Sequence, residues 1–110
     1  MNLTNNNKLK SYLGFAIKSR SIVFGIENIA KAKQIKLVLI SNKLTQSGKN
    51  KILNLCEKKN LKYINIDEEL FDEIIQKSGI KIVAITDKNL SDAIIKELNY
   101  FGGNFEQNRK

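Results

Sequence analysis

The chain has 110 residues, of which 42% are apolar and 27% charged, a length and balance expected of one globular domain. It contains one cysteine and no histidine, which leaves almost no ligands for a zinc site and removes the Ser–His and Cys–His pairs of nucleophilic catalysis. No apolar run approaches the roughly 20 residues that span a bilayer, and the first residues lack the pattern of a secretory signal. We therefore expect a non-enzymatic domain without metal, cofactor or membrane partner, located in the reducing cytoplasm.

The positive charge is concentrated in one half of the sequence. The net charge is +8 and the isoelectric point about 9.7. Residues 1–62 carry 13 Lys or Arg and two acids, a net charge of +11, whereas residues 63–110 carry six cations and nine acids, a net charge of −3. Compositional drift toward Lys would affect the whole chain and would not remove acids from one half. The asymmetry therefore predicts a surface that binds a polyanion.

Helices and strands alternate along the first half of the chain. Apolar residues recur at helical spacing over about residues 4–18, and a short β-prone run follows at 22–24. A short helix is predicted from residue 26. The continuous apolar run 37–40 is typical of a strand covered on both faces.

The same alternation continues in the second half. A capped polar turn leads into a helix whose inner face includes Cys56, predicted to be a core residue. A strand at 63–66 precedes a helix that we expect Gly79 to close, and a strand at 80–86 with an apolar centre precedes a last helix capped by Asp87 or Asn89. Residues 99–110 are predicted to be a frayed tail.

Strands separated by helices predict a single α/β domain, a three-layer α/β/α sandwich with a four-stranded mixed sheet. The centre of the sheet is expected to bury Leu37, Leu39, Val83 and Ile85.

The motifs of catalysis and nucleotide binding are weak or absent. Neither a P-loop nor a dinucleotide-binding glycine pattern occurs. The acids between Asp67 and Glu73 suit the first turns of a helix better than a metal site. Residues 45–49 resemble a phosphate-holding turn, although an ordinary capped helix start also explains them.

One stretch carries a family resemblance. Residues 13–25 read LGFAIKSRSIVFG and are followed by IENIAK at 26–31; further matching segments are 36–41, 52–56 and 82–87. Their order and spacing resemble the L7Ae/L30e family of ribosomal and kink-turn RNA-binding proteins, most closely its bacterial YlxQ-like members. The resemblance extends from about Leu9 to Leu98 and implies an RNA-binding α/β sandwich.

The resemblance also implies which residues contact RNA. The family places glycine-x-asparagine-glutamate-x-x-lysine at the start of the second helix. Here Gly25 and Lys31 match, whereas Glu27 and Asn28 stand in the reverse order. Gly25 would let the backbone approach phosphate, Lys31 would neutralise a phosphate, and Asn28 could bind a base edge. We also expect Glu27 and Lys31 to pair across one helical turn.

Further cations complete the predicted site. Lys18, Arg20 and Lys43 are expected to extend the positive surface, and Lys77 lies in the family's second RNA-contacting loop, 76–80. In the helix before that loop, Phe71 replaces a family glycine. We expect Lys18, Arg20, Lys31 and at least one of Lys43 and Lys49 to lie near one end of the sheet.

Three functional hypotheses follow. The first is binding of structured RNA in or around the ribosome, by a monomer that recognises kinked loops. The alternative is a protein-interaction adaptor of the same fold that does not bind RNA. The third is a substrate-recognition domain of an RNA-modifying enzyme standing alone. Salt-dependent binding to RNA would separate the first from the adaptor.

Overall fold

The computed structural model describes residues 4–100, and within this range the side chains of residues 7–99. These residues form five helices and one four-stranded sheet. In chain order the elements are α1 (Thr4–Lys18), β1 (Ile22–Phe24), α2 (Ile26–Lys31), β2 (Leu37–Ser41), α3 (Gln46–Lys59), β3 (Tyr63–Ile66), α4 (Glu68–Ile75), β4 (Ile82–Ile85) and α5 (Lys88–Tyr100).

The sheet is mixed, with the strand order β1-β4-β2-β3. Strands β2 and β3 are parallel, while β4 is antiparallel to both of its neighbours, β1 and β2. Consequently β1, β2 and β3 all run in the same direction. We call the end of the sheet where these three strands begin its amino end, and the end where they finish its carboxyl end.

Helices α1, α4 and α5 cover one face of the sheet. Their apolar stripes meet the side chains that β2, β3 and β4 direct to that face, and Phe71 of α4 is fully buried among them. The helical spacing of Leu9, Leu13 and Ala16 puts all three on the buried side of α1. This face therefore holds the larger part of the core.

Helices α2 and α3 cover the opposite face. Ile29, Ile52 and Cys56 pack there against Val38 and Ala84 of the sheet. Because both faces are covered, the central strands β2 and β4 are buried along their whole lengths. The predicted three-layer sandwich is confirmed, and Leu37, Leu39, Val83 and Ile85 are fully buried as expected.

Side-chain caps fix the starts of three helices. Thr45 accepts a hydrogen bond from Gly48 N at 3.1 Å, Asp67 from Glu69 N at 3.1 Å, and Asp87 from Leu90 N at 3.0 Å. Residues 45–49 thus form a capped helix start, and of the two cap residues considered for α5 the structure uses Asp87.

Two predicted boundaries are corrected. Helix α4 ends at Ile75 and not at Gly79, because Gln76 adopts the left-handed conformation (φ 58°) that terminates the helix. At the other boundary, α5 continues through Asn99 and Tyr100, which were expected to belong to a frayed tail. The rest of that predicted tail, residues 101–110, lies outside the described residues.

Candidate functional site

The junction between β1 and α2 lies at the carboxyl end of the sheet. Gly25 forms it with φ 85° and ψ 150°, a conformation that residues with a side chain rarely adopt. Its N–H donates to Ile82 O at 3.1 Å, which ties the junction to β4. The side-chain amide of Asn28 donates through Nδ2 to Phe24 O at 2.9 Å, across the turn. The first turn of α2 is therefore fixed relative to the sheet.

The loop between α4 and β4 reaches the same place. It contains two positive-φ residues, Gln76 (φ 58°) and Gly79 (φ 82°), which turn the chain back toward the sheet. Between them, the Nζ atom of Lys77 lies 5.3 Å from the centroid of the Phe24 ring. An ammonium group at this distance over an aromatic face is attracted by the ring's electron density. Two segments about 50 residues apart in sequence are thus neighbours in the fold.

The exposed side chains at this junction include both hydrogen-bond donors and hydrogen-bond acceptors. Glu27 and Asn28 are both exposed on the first turn of α2. Asn28 uses one N–H on Phe24 O, which leaves its second N–H and its carbonyl oxygen for a ligand. Glu27 can only accept. The predicted ion pair between Glu27 and Lys31 is wrong: their charged atoms do not lie within 4.0 Å of each other. An ion pair between two exposed side chains contributes little free energy, so its absence is not surprising.

The turn after β2 places further charges at the carboxyl end. Lys43 Nζ lies 3.6 Å from Glu68 Oε2, and Glu68 N donates to Asn42 Oδ1 at 2.9 Å. Lys81 Nζ lies 3.9 Å from Asp72 Oδ1. Two cations at this end, Lys43 and Lys81, therefore already have an acidic neighbour.

The predicted gathering of cations at one end is wrong. Lys43 follows β2 and lies at the carboxyl end, as does Lys77, which precedes the antiparallel strand β4. Lys18 and Arg20 precede β1, which runs in the same direction as β2, and so lie at the amino end. Lys31 ends the short helix α2, which leads away from the carboxyl end. The structure thus brings Gly25, Glu27, Asn28, Lys43 and Lys77 to one end and sends Lys18 and Arg20 to the other.

Phe24 belongs to the candidate site by its contact with Lys77 and was not among the residues predicted from the sequence. It is the last residue of β1, and its ring packs partly against the larger core cluster while carrying Lys77 on its exposed side. The alternation of Ile22, Val23 and Phe24 indicates only which face each side chain takes. The neighbourhood of Phe24 and Lys77 depends on the pairing of β1 with β4, for which the sequence holds no local signal.

The described residues show no sign of a metal centre or a membrane span. No group of three or more Cys, Asp or Glu side chains among them could hold a metal ion. Cys56 is buried, and that burial raises the pKa of its thiol to about 11. Within residues 4–100 no helix is long and apolar enough to cross a membrane.

Together, the sandwich and the two segments that meet at its carboxyl end define a small α/β domain with one exposed two-segment surface. Residues 7–95 match the family model of the ribosomal protein L7Ae/L30e/S12e/Gadd45 family, and the chain belongs to this family. Among solved structures, a protein of unknown function from Bacillus halodurans is similar, with 23% sequence identity and a TM-score of 0.72. That match covers 84% of this chain and 97% of the other and supports the fold. No curated protein matches the sequence.

Family membership confirms the resemblance drawn from residues 13–31 and the matching segments after them. It supports RNA binding of a ribosomal type at the level of the family, whose members are generally not enzymes.

Proposed function

We propose that this chain is a non-enzymatic RNA-binding protein that works as a monomer in the cytoplasm, associated with the ribosome or with translation. Its ligand in this proposal is a kinked, kink-turn-like RNA, bound at the carboxyl end of the sheet. Kinked internal loops suit such a surface because they open grooves and splay bases that regular A-form RNA keeps closed.

The observation that carries the proposal is the meeting of the β1–α2 junction with the α4–β4 loop. The contact of Lys77 with Phe24, at 5.3 Å, joins two exposed segments into one surface. That surface offers a backbone turn at Gly25, hydrogen-bonding groups at Asn28 and a cation at Lys77. A ligand that presents phosphates and unpaired base edges side by side matches this set.

Each residue has a distinct role in the proposed complex. Asn28 reads a base edge with its free N–H and carbonyl oxygen, because its other N–H holds it in place on Phe24 O. Lys77 contacts a phosphate at the junction, and Lys31, at the far end of α2, contacts a phosphate of the RNA strand that continues past the junction. Lys43 contacts a third phosphate and gives up its ion pair with Glu68, which lies 3.6 Å away. Because both side chains are exposed, breaking this ion pair costs little free energy.

Glu27 limits the affinity. Its carboxylate is exposed on the first turn of α2 and repels phosphate, while it can accept a hydrogen bond from the exocyclic amine of guanine or cytosine. We therefore expect weaker binding to a standard kink-turn than a family member with asparagine followed by glutamate shows, and a preference for a loop that presents such an amine near Glu27.

The test is a titration of a fluorescent kink-turn RNA with the protein, followed by anisotropy at several salt concentrations. Three or four phosphate contacts predict a slope of log K against log salt of roughly −3. A fully paired duplex of the same length is the control RNA, and it should bind more weakly. Equal affinity for both RNAs would contradict recognition of the kink. Absence of salt-dependent binding to either would favour the adaptor alternative.

A further inference from the structure

The amino end of the sheet carries a second group of cations. Each of the three strands that begin there is preceded by a basic residue: Arg20 before β1, Lys36 before β2 and Lys62 before β3. Backbone hydrogen bonds align the starts of these strands in a row: Lys36 N donates to Ile85 O at 2.8 Å and Val38 N to Lys62 O at 2.9 Å, while Thr86 N donates to O of Ser21, the residue after Arg20, at 2.9 Å. Strand spacing puts the backbone of Lys36 about 5 Å from that of Lys62 and about 10 Å from the start of β1. By strand alternation Lys36 is on the face that α2 and α3 cover and Lys62 on the opposite face, so both lie at the rim of the sheet. Lys18, at the end of α1, and Lys33, in the turn before β2, flank the row.

Two of the turns repeat one sequence pattern. Lys33-Gln34-Ile35-Lys36 precedes β2, and Lys59-Asn60-Leu61-Lys62 precedes β3. Gln34 and Asn60 have φ of 62° and 61°, so each turn reverses through a left-handed residue. Ile35 and Leu61 then pack against the core cluster under α2 and α3. The left-handed residue reverses each turn and the apolar residue anchors it, whereas Lys33, Lys36 and Lys62 have no side-chain hydrogen bond or ion pair with a described residue in these turns.

Helix termini and neighbouring acids do not account for this charge. Helices α1, α2 and α3 end at this side of the fold, and each terminus contributes about half a negative charge. Lys59 offsets the negative end of α2 directly, because its Nζ donates a hydrogen bond to Ala30 O at 2.8 Å. Three described acids lie at this end: Asp87 caps α5, Asp92 pairs with Lys88 at 3.0 Å, and Glu57, exposed in the last turn of α3, forms no ion pair within 4.0 Å with a described residue.

The cations that remain have no such partner. Among the described residues, no ion pair within 4.0 Å involves any of five exposed cations at this end: Lys18, Arg20, Lys33, Lys36 and Lys62. At the carboxyl end, by contrast, Lys43 and Lys81 have acidic neighbours. Five cations without an ion pair to a described residue thus lie at the end opposite the proposed kink-turn site.

An exposed aromatic side chain lies beside one of these cations, Lys18. The side chain of Phe15 on α1 is 58% exposed. Among the described residues, the other exposed large apolar side chain is Ile17, at 39%. It stands three residues before Lys18, so the two side chains are neighbours on one side of the helix. An exposed ring beside cations is the arrangement on which unpaired bases stack while their phosphates are neutralised.

We infer that the amino end of the sheet is a second RNA-contacting surface, which takes an unpaired segment of RNA. Arg20, Lys36 and Lys62 contact successive phosphates along the row, and Phe15 stacks on a base. This inference rests on the proposed function only in that RNA is the ligand, and the surface is separate from the kink-turn site. A kinked RNA with a single-stranded extension could then occupy both ends of one molecule.

The experiment uses an unstructured uridine oligonucleotide of roughly ten nucleotides, within the site sizes of single-strand binders, and the full chain. The Lys36→Glu/Lys62→Glu variant should lower its affinity on the order of tenfold, and its salt slope should be shallower by about 1.4, the value for two lost phosphate contacts. The control is Lys51→Glu/Lys96→Glu, an equal change in net charge at exposed residues of α3 and α5. It should bind the oligonucleotide within about twofold of the wild type, because screening limits the effect of distant charges.

A second variant tests the aromatic contact without changing charge. Phe15→Ala removes an exposed ring and should weaken binding of the oligonucleotide several-fold while leaving the salt slope unchanged. Equal losses in the two charge-reversal variants, or no effect of Phe15→Ala, would overturn the inference. A minimal kink-turn RNA without extension keeps the two proposals apart. If it fails to bind while the oligonucleotide results hold, the proposed function falls and the second surface stands.

Discussion

The Nζ atom of Lys77 lies 5.3 Å from the centroid of the Phe24 ring, so the α4–β4 loop rests on the last residue of β1. This contact is what makes two separate segments one surface. We expect Lys77→Ala to weaken kink-turn binding several-fold, because it removes a phosphate contact, and Lys77→Arg to retain most of the affinity. Phe24→Leu keeps the charge but removes the ring and should give an intermediate loss. Wild-type affinity in both Lys77→Ala and Phe24→Leu would show that the loop does not contact RNA.

Asn28 is expected to determine which RNA is preferred. Asn28→Ala should cost about 1–3 kcal/mol on the preferred RNA and little on others, as the loss of a base-edge contact does. Lys31→Ala should instead weaken binding to all RNAs alike, because a phosphate contact carries no sequence information. Competition titrations with a small panel of kinked RNAs would measure both effects. Equal losses across the panel for Asn28→Ala would assign it a non-specific role.

The reversed order of Glu27 and Asn28 gives a gain-of-function test. The double variant Glu27→Asn/Asn28→Glu restores the order of the family and removes a carboxylate from its present position beside the junction. It should bind a standard kink-turn more tightly than the wild type. Unchanged or weaker affinity, with folding intact by circular dichroism, would mean that this turn reads a different RNA or none.

Gly25 is expected to be required for its backbone conformation. Its φ of 85° strains any residue with a side chain, although a Cβ there would meet no atom within 4 Å. Gly25→Ala should therefore lower the free energy of unfolding by about 1–3 kcal/mol. Gly14→Ala is the matched control, since Gly14 lies in α1 and its Cβ would also meet nothing within 4 Å; it should stabilise the protein by up to about 1 kcal/mol. Urea denaturation measures both, and equal effects would contradict the conformational reading.

Cys56 gives a prediction in pH. Burial raises the pKa of its thiol from 9.0 to about 11, because the folded protein favours the neutral form. The resulting contribution to stability is complete below pH 9 and is lost as the pH rises from 9 to about 11, where the unfolded chain ionises first. The free energy of unfolding of the wild type should therefore fall more over this window than that of Cys56→Ala. Parallel pH profiles for the two proteins would contradict the account.

The sequence was sufficient for the fold because its signals were local. The apolar runs 37–40 and 82–85 predict strands covered on both faces, and the structure buries both. The left-handed turn at Gln76 was not predictable in this way. Glutamine carries no turn signal, and Gly79, three residues later, offered a better one.

The positions of the candidate site residues in the fold were harder to predict than their identities. Gly25 and Asn28 follow from the resemblance, but the position of Lys18 and Arg20 depends on the direction of β1 relative to β2. That direction is set by pairing with β4, about 60 residues later in the chain. Composition could indicate a basic half of the sequence, and only the topology shows that its charges divide between the two ends of the sheet.

The central claim, that the carboxyl end of the sheet binds kinked RNA, is tested most directly by mapping backbone amide shifts in an NMR titration with a kink-turn RNA. We expect the largest shifts at two segments, 24–28 and 76–81, with residues 53–59 in the second half of α3 as an internal control that changes little. Largest shifts on α3 or α5, or no shifts at 24–28 and 76–81 in a saturated complex, would contradict the account.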